Sequence, residues 1–146
     1  MSWKKLQSEG RVEPHRTSKQ ELELLRAAVN RNLADAAIAS LSTDNRFTIA
    51  CDSALLSCKM AIACSGFRVK GIGAHRTTFI AVKLAMGSTI ATTAAYLERC
   101  RRKRNDLTYE TAGIVSDKDA KDLLAEAQTL AKLVDRWIHD NHATLD

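Results

Sequence analysis

Residues 99–104, RCRRKR, place five cationic side chains in six positions, and Asn105, Asp106, Thr108 and Tyr109 follow at once. On a helix Arg101, Arg104, Asn105 and Thr108 fall at steps of three, one and three, so they share a face. Two guanidiniums, an amide and a hydroxyl form a donor-rich strip of the kind phosphate oxygens accept. Positive charge at a helix C-terminus also complements the macrodipole, which accounts for one or two such residues. Five cations packed together repel one another, and that repulsion calls for an anion. The chain carries 22 Lys+Arg against 17 Asp+Glu, so its formal excess of +5 equals the charge of this one hexapeptide. A basic patch of that density speaks to partners, and nucleic acid or a nucleotide phosphate is the first that it suggests.

Other groups with potential chemistry carry weaker signals. The segment GIGAHR at 71–76 has two glycines of a dinucleotide loop but lacks the third, and no β-α-β unit surrounds it. Its glycines are better read as permitting a tight connection between helices. His75 and Arg76 follow that connection, at a helix start from which they can approach another helix end. His139 and His142 share a helix face with Asp135, but near the end of the last helix, where cations suit the dipole. Cys51, Cys58, Cys64 and Cys100 lack the paired spacing of a zinc site and are expected to be reduced, buried thiols acting as small hydrophobes. Neither a metal nor a cofactor is expected.

The elements that position these groups are helical. Alanine is abundant, aromatic residues make up 5% of the chain and there is one proline, which is the profile of an all-α protein packed with small side chains. Residues 1–17 show no period and are expected to form a flexible arm. Ser18 and Glu21 form a capping box that opens the first helix, with Leu22, Leu25, Val29, Leu33 and Ala36 on one stripe to about Ser40. A second helix over about 44–64 is apolar on most sides, which places it at the centre of the domain and leaves apolar surface for a second copy. Residues 66–73 alternate in polarity, but a lone strand has nothing to pair with, so an irregular connection is expected. A third helix runs from Ala74 into the basic run, and Ser116 with Asp119 caps a last helix carrying Leu123, Leu130, Val134 and Ile138. Residues 18–146 are thus expected to form an antiparallel four-helix bundle. Without a run of about 18 apolar residues or a secretory leader, the chain is expected to be cytoplasmic and free of the membrane.

The stretch RRKRNDLTYE, followed by a capped amphipathic helix, resembles the signature region of HEPN domains, in particular a subgroup with Tyr in place of the motif His. Arg104 and Asn105 match the motif, and Tyr109 stands where the His belongs. SGFRVKGIGAHRTT is similar to the glycine-containing connection before the third helix in that subgroup. The resemblance spans roughly residues 20–140. It implies a dimeric all-α bundle whose paired Arg motifs face one cleft, and, for many members, metal-independent endoribonuclease activity in toxin–antitoxin, defence or RNA-processing systems. Other members bind nucleotides or serve as inactive partners, often beside a nucleotidyltransferase. Carried over, it makes Arg104, Asn105 and Tyr109 the catalytic set, with Arg99, Arg101, Arg102, Lys103, Arg104 and Thr108 contacting nucleic acid. A neutral phenol of pKa about 10 is a poor base at pH 7, so phosphate binding is expected to outlast cleavage. The alternative is a non-catalytic, antitoxin-like partner of a nucleotidyltransferase or other protein, whose acidic surface the basic strip would meet.

Overall fold

The computed structural model describes residues 1–109 and 114–146, with the backbone alone described at 107–109. The chain is mostly helical: α1 (Trp3–Ser8), α2 (Lys19–Ala36), α3 (Thr43–Cys64), α4 (Ala74–Met86), α5 (Ala91–Tyr109) and α6 (Asp117–Asn141). The described residues also hold two short strands, β1 (Val12–Pro14) and β2 (Phe67–Val69), and two 3₁₀ turns.

The helix starts follow their capping residues. Ser18 Oγ accepts from the Glu21 amide at 3.1 Å, and Ser42 does the same for Asn45 at 3.1 Å. Ser116 and Asp119 form both halves of a capping box, each bond 3.0 Å long. At Ser18 the reciprocal half is missing, because the Glu21 carboxylate turns instead to His15 Nε2 at 2.7 Å and Thr17 Oγ1 at 3.0 Å.

α3 is the axis of the structure and packs against α2, α4, α5 and α6. Its Ala50, Cys51, Ser53, Ala54, Ser57, Cys58 and Ala61 are all buried, and such small side chains let neighbouring backbones come close. Ser53 Oγ donates to the Val29 carbonyl of α2 at 3.2 Å, which satisfies a hydroxyl that would otherwise be stranded. α6 supplies Leu123, Leu130 and Ile138, each 1% exposed or less, and burial of each contributes about 2 kcal/mol. The apolar faces of α3 are therefore largely taken up inside the chain. By length and composition alone α3 and the stretch 74–106 resemble bilayer-crossing helices, but most of α3 is buried here as the core helix of the fold.

Three expectations from the sequence are corrected. Residues 66–73 do hold a strand, because β1 supplies the partner: Val12 pairs with Val69, Glu13 with Arg68 and Pro14 with Phe67, antiparallel. The first seventeen residues are thus not a free arm over 3–14. Leu6 and Val12 are buried with Ile62 and Ala81 in a second small core, and Trp3 stacks on Phe67 with ring centroids 4.5 Å apart. Gly71 is fixed in this region, since its φ is +82° and an added Cβ would lie 3.3 Å from the Gly10 carbonyl oxygen. The expected single third helix is broken into α4 and α5 by a 3₁₀ turn at Gly87–Ile90, where Gly87 has φ of +78°.

Leu6→Ala is expected to lower the stability of the whole chain by about 3 kcal/mol. Urea unfolding checks this, and an unchanged midpoint would mean that residues 3–14 are not docked.

Candidate functional site

The basic run occupies the last turns of α5, where two neighbours close on it: α3 from one side and the start of α4 from another. Arg104 Nη1 lies 2.7 Å from Asp52 Oδ1 of α3. Arg101 grips Glu98 with both arms of its fork, Nε to Oε2 at 2.8 Å and Nη2 to Oε1 at 2.6 Å. That grip holds the Glu98 carboxyl below the usual range and raises the arginine. Arg102 Nε reaches the same carboxylate at 3.5 Å, and Lys103 Nζ reaches Asp119, the capping residue of α6, at 3.2 Å. The Arg99 guanidinium sits over the Tyr96 ring, 5.7 Å from its centroid. The mutual repulsion that called for an external anion is thus met in part by Glu98, Asp52 and Asp119 of the chain itself.

Of the residues expected to share one face, Arg101 and Arg104 are half-buried and turned toward carboxylates, while Asn105 is exposed. Thr108 and Tyr109 close α5, and their side chains lie outside the described residues.

Two concavities border this region. The first is a groove of about 320 Å3 between α4 and α5. It is lined by Arg76 and Lys83 from α4 and by Arg99 and Arg102 from α5, all exposed. Glu98, already held by Arg101, is the carboxylate among its lining residues, and Phe79 and Ile80 form part of its floor. Arg76 stands at the helix start from which an approach to another helix end was expected, whereas Lys83 gave no signal in the sequence, because its distance along the chain from Arg99 hides their nearness in space.

The second is a cavity of about 420 Å3. Asp52, Leu55, Leu56 and Lys59 line it from α3, at the i, i+3, i+4 and i+7 spacing that marks one helix stripe. On this stripe Asp52, Leu55 and Leu56 are half-buried and Lys59 is exposed. Val69 of β2 and Ala74, His75 and Thr78 of α4 form the other walls. Thr78 Oγ1 donates to the Ala74 carbonyl at 2.8 Å, which leaves its lone pairs for a ligand. The His75 ring is held below the ordinary histidine range, first by burial and then by the positive charge of Arg104, with Asp52 opposing and Arg101 adding to the effect. His75 therefore tends to be neutral at pH 7. Asp52 left one trace in the sequence, as a lone carboxylate inside an otherwise apolar helical run a heptad before Lys59.

The remaining candidates are placed elsewhere. His139 Nδ1 meets Asp146 at 2.6 Å and Asp135 pairs with Arg26 at 2.8 Å, so neither joins His142 around a common point. Among the described residues no three His, Cys, Asp or Glu side chains are grouped as a metal would need. The four cysteines are free. Burial pushes the Cys51 thiol up to about 11 and the Cys58 thiol to about 12, and it raises Cys64 to about 11. Compared with models of protein families, with curated proteins and with solved structures, the chain matches none.

At pH 8 the native protein is expected to leave Cys51 and Cys58 unalkylated by iodoacetamide, with all four thiols labelled after denaturation. Peptide mass spectrometry reads the difference, and rapid native labelling of Cys51 would show that α3 opens beside Arg104.

Proposed function

We propose that this chain is a HEPN-like, cytoplasmic, dimeric four-helix bundle that binds RNA through the basic end of α5. The observation that carries the reading is the groove between α4 and α5. Four exposed cations from two helices converge there, and its one lining carboxylate is already engaged by Arg101. A phosphodiester backbone supplies regularly spaced anions, and a groove walled by arginines on both sides accepts them without reading base identity. Arg101 and Arg104 stand at the next turns of α5, held in place by Glu98 and Asp52. A guanidinium that is already oriented loses less rotamer freedom when it takes a phosphate. The likeness of Arg104, Asn105 and Tyr109 to the HEPN motif supports the same assignment.

Dimerisation is what the HEPN likeness implies, and it would give a partner to apolar side chains left outside the core. Ile72 is 103% exposed between Gly71 and Gly73, and Leu24 of α2 is 69% exposed. Light scattering at micromolar concentration is expected to give twice the 16.1 kDa chain mass. A mass equal to one chain would remove the dimer from the proposal.

Binding of a fluorescent single-stranded RNA is expected to weaken steeply between 50 and 200 mM salt, roughly as counterion release requires. Replacing Arg99→Ala together with Arg102→Ala should reduce the log–log slope by about 1.4, which is two phosphate contacts on a single strand. Unchanged affinity and slope in the double variant would take the groove out of the reading.

A further inference from the structure

The cavity beside α3 has no part in the RNA reading, and it shares no lining residue with the α4–α5 groove. At about 420 Å3 it falls within the size range of small-molecule sites. Leu55, Leu56 and Ile62 of α3, Val69 of β2 and Ala74 of α4 give it apolar walls. An apolar body that displaces water from such walls binds through the hydrophobic effect.

The polar groups of the lining decide what head that body carries. Asp52 is already met by Arg104 at 2.7 Å, so much of its charge is offset. The hydroxyl hydrogen of Thr78 is spent on the Ala74 carbonyl. Lys59 differs, because it is exposed at the rim and forms no ion pair or hydrogen bond among the described residues. Glu21 of α2 feels the Lys59 charge, but its carboxylate is engaged by His15 Nε2 and Thr17 Oγ1. Lys59 stands a heptad beyond Asp52 on the same stripe, about 10.5 Å along the axis of α3, with Leu55 and Leu56 between the two. The cavity therefore offers an ammonium at one end of an apolar surface.

We infer that this cavity binds a small monocarboxylate with an apolar body, an alkyl or aryl acid whose tail lies against Leu55, Leu56, Ile62 and Val69 and whose carboxylate meets the Lys59 ammonium. The site does not rest on the RNA-binding reading. Its selectivity comes from two separate sources: the length of the tail sets how much apolar surface is buried, and the sign of the head is set by Lys59.

The test is a titration of the isotope-labelled full chain with sodium octanoate, followed by proton–nitrogen correlation spectra. Saturable shifts are expected at residues 52–62, 69 and 74–78, with a dissociation constant of about 1 mM or below. Hexanoate, shorter by two methylenes, should bind roughly 15-fold more weakly. Octan-1-ol and octylammonium, which carry the same tail, should each bind at least about threefold more weakly than octanoate. Lys59→Met, at an exposed helix position, should bring octanoate down to the level of the alcohol, and the dispersion of the same spectra shows that the variant is folded. Absence of saturable shifts would overturn the proposal. Shifts confined to Arg76, Lys83, Arg99 and Arg102 would overturn it by placing the acid in the cationic groove. Octylammonium binding as tightly as octanoate would overturn it by giving the cavity to cations at Asp52, and so would an octanoate affinity unchanged in Lys59→Met. None of these results bears on the RNA reading, which stands or falls on the salt dependence of the groove.

Discussion

Close packing around α3 is the constraint on which everything else depends. Four other helices come close to a helix most easily where its side chains are short, and α3 carries alanine, serine or cysteine at most of its buried positions, with Phe47, Met60 and Ile62 the larger ones. Its less deeply buried stripe carries Asp52, Leu55, Leu56 and Lys59. The same geometry that makes α3 the core therefore leaves one stripe of it as the floor of a cavity. Asp52, lying on that stripe, meets α5 and sets where Arg104 stands.

The carboxylates around the basic run have a double effect. Glu98 and Asp52 lower the local positive potential, yet they also fix two guanidiniums that would otherwise sample many rotamers. In half-buried pairs of this type the cost of desolvation offsets much of the attraction, so they contribute little net stability. Their significance lies in orientation. The exposed cations of the α4–α5 groove carry the long-range field, while the half-buried ones present defined geometry at its end.

Much of the helical content was legible because it is local. Ser18, Ser116 and the apolar stripes of α2 and α6 announce their helices within a few residues of chain, and both helices start where these caps place them, although α2 stops at Ala36, short of the expected Ser40. The break at Gly87 was less visible, since the apolar positions of the third predicted helix continue through it without a change of period. The strand β2 was rejected for lack of a partner, and β1 could not be recognised because three residues ending in Pro14 show no period of their own. The site divides in the same way. The basic run is visible as composition, whereas Asp52, Arg76 and Lys83 become relevant through helix crossings that no spacing along the chain encodes.

Val69 is both a wall of the cavity and the partner of Val12, so the cavity is completed by a contact between the start of the chain and its middle. Pairs such as α2 with α3 and α4 with α5 join segments adjacent in sequence, and closing short loops costs less entropy than closing long ones. In folding, the helical pairs can therefore assemble before β1 finds β2, and the basic face of α5 takes shape ahead of the cavity beside it.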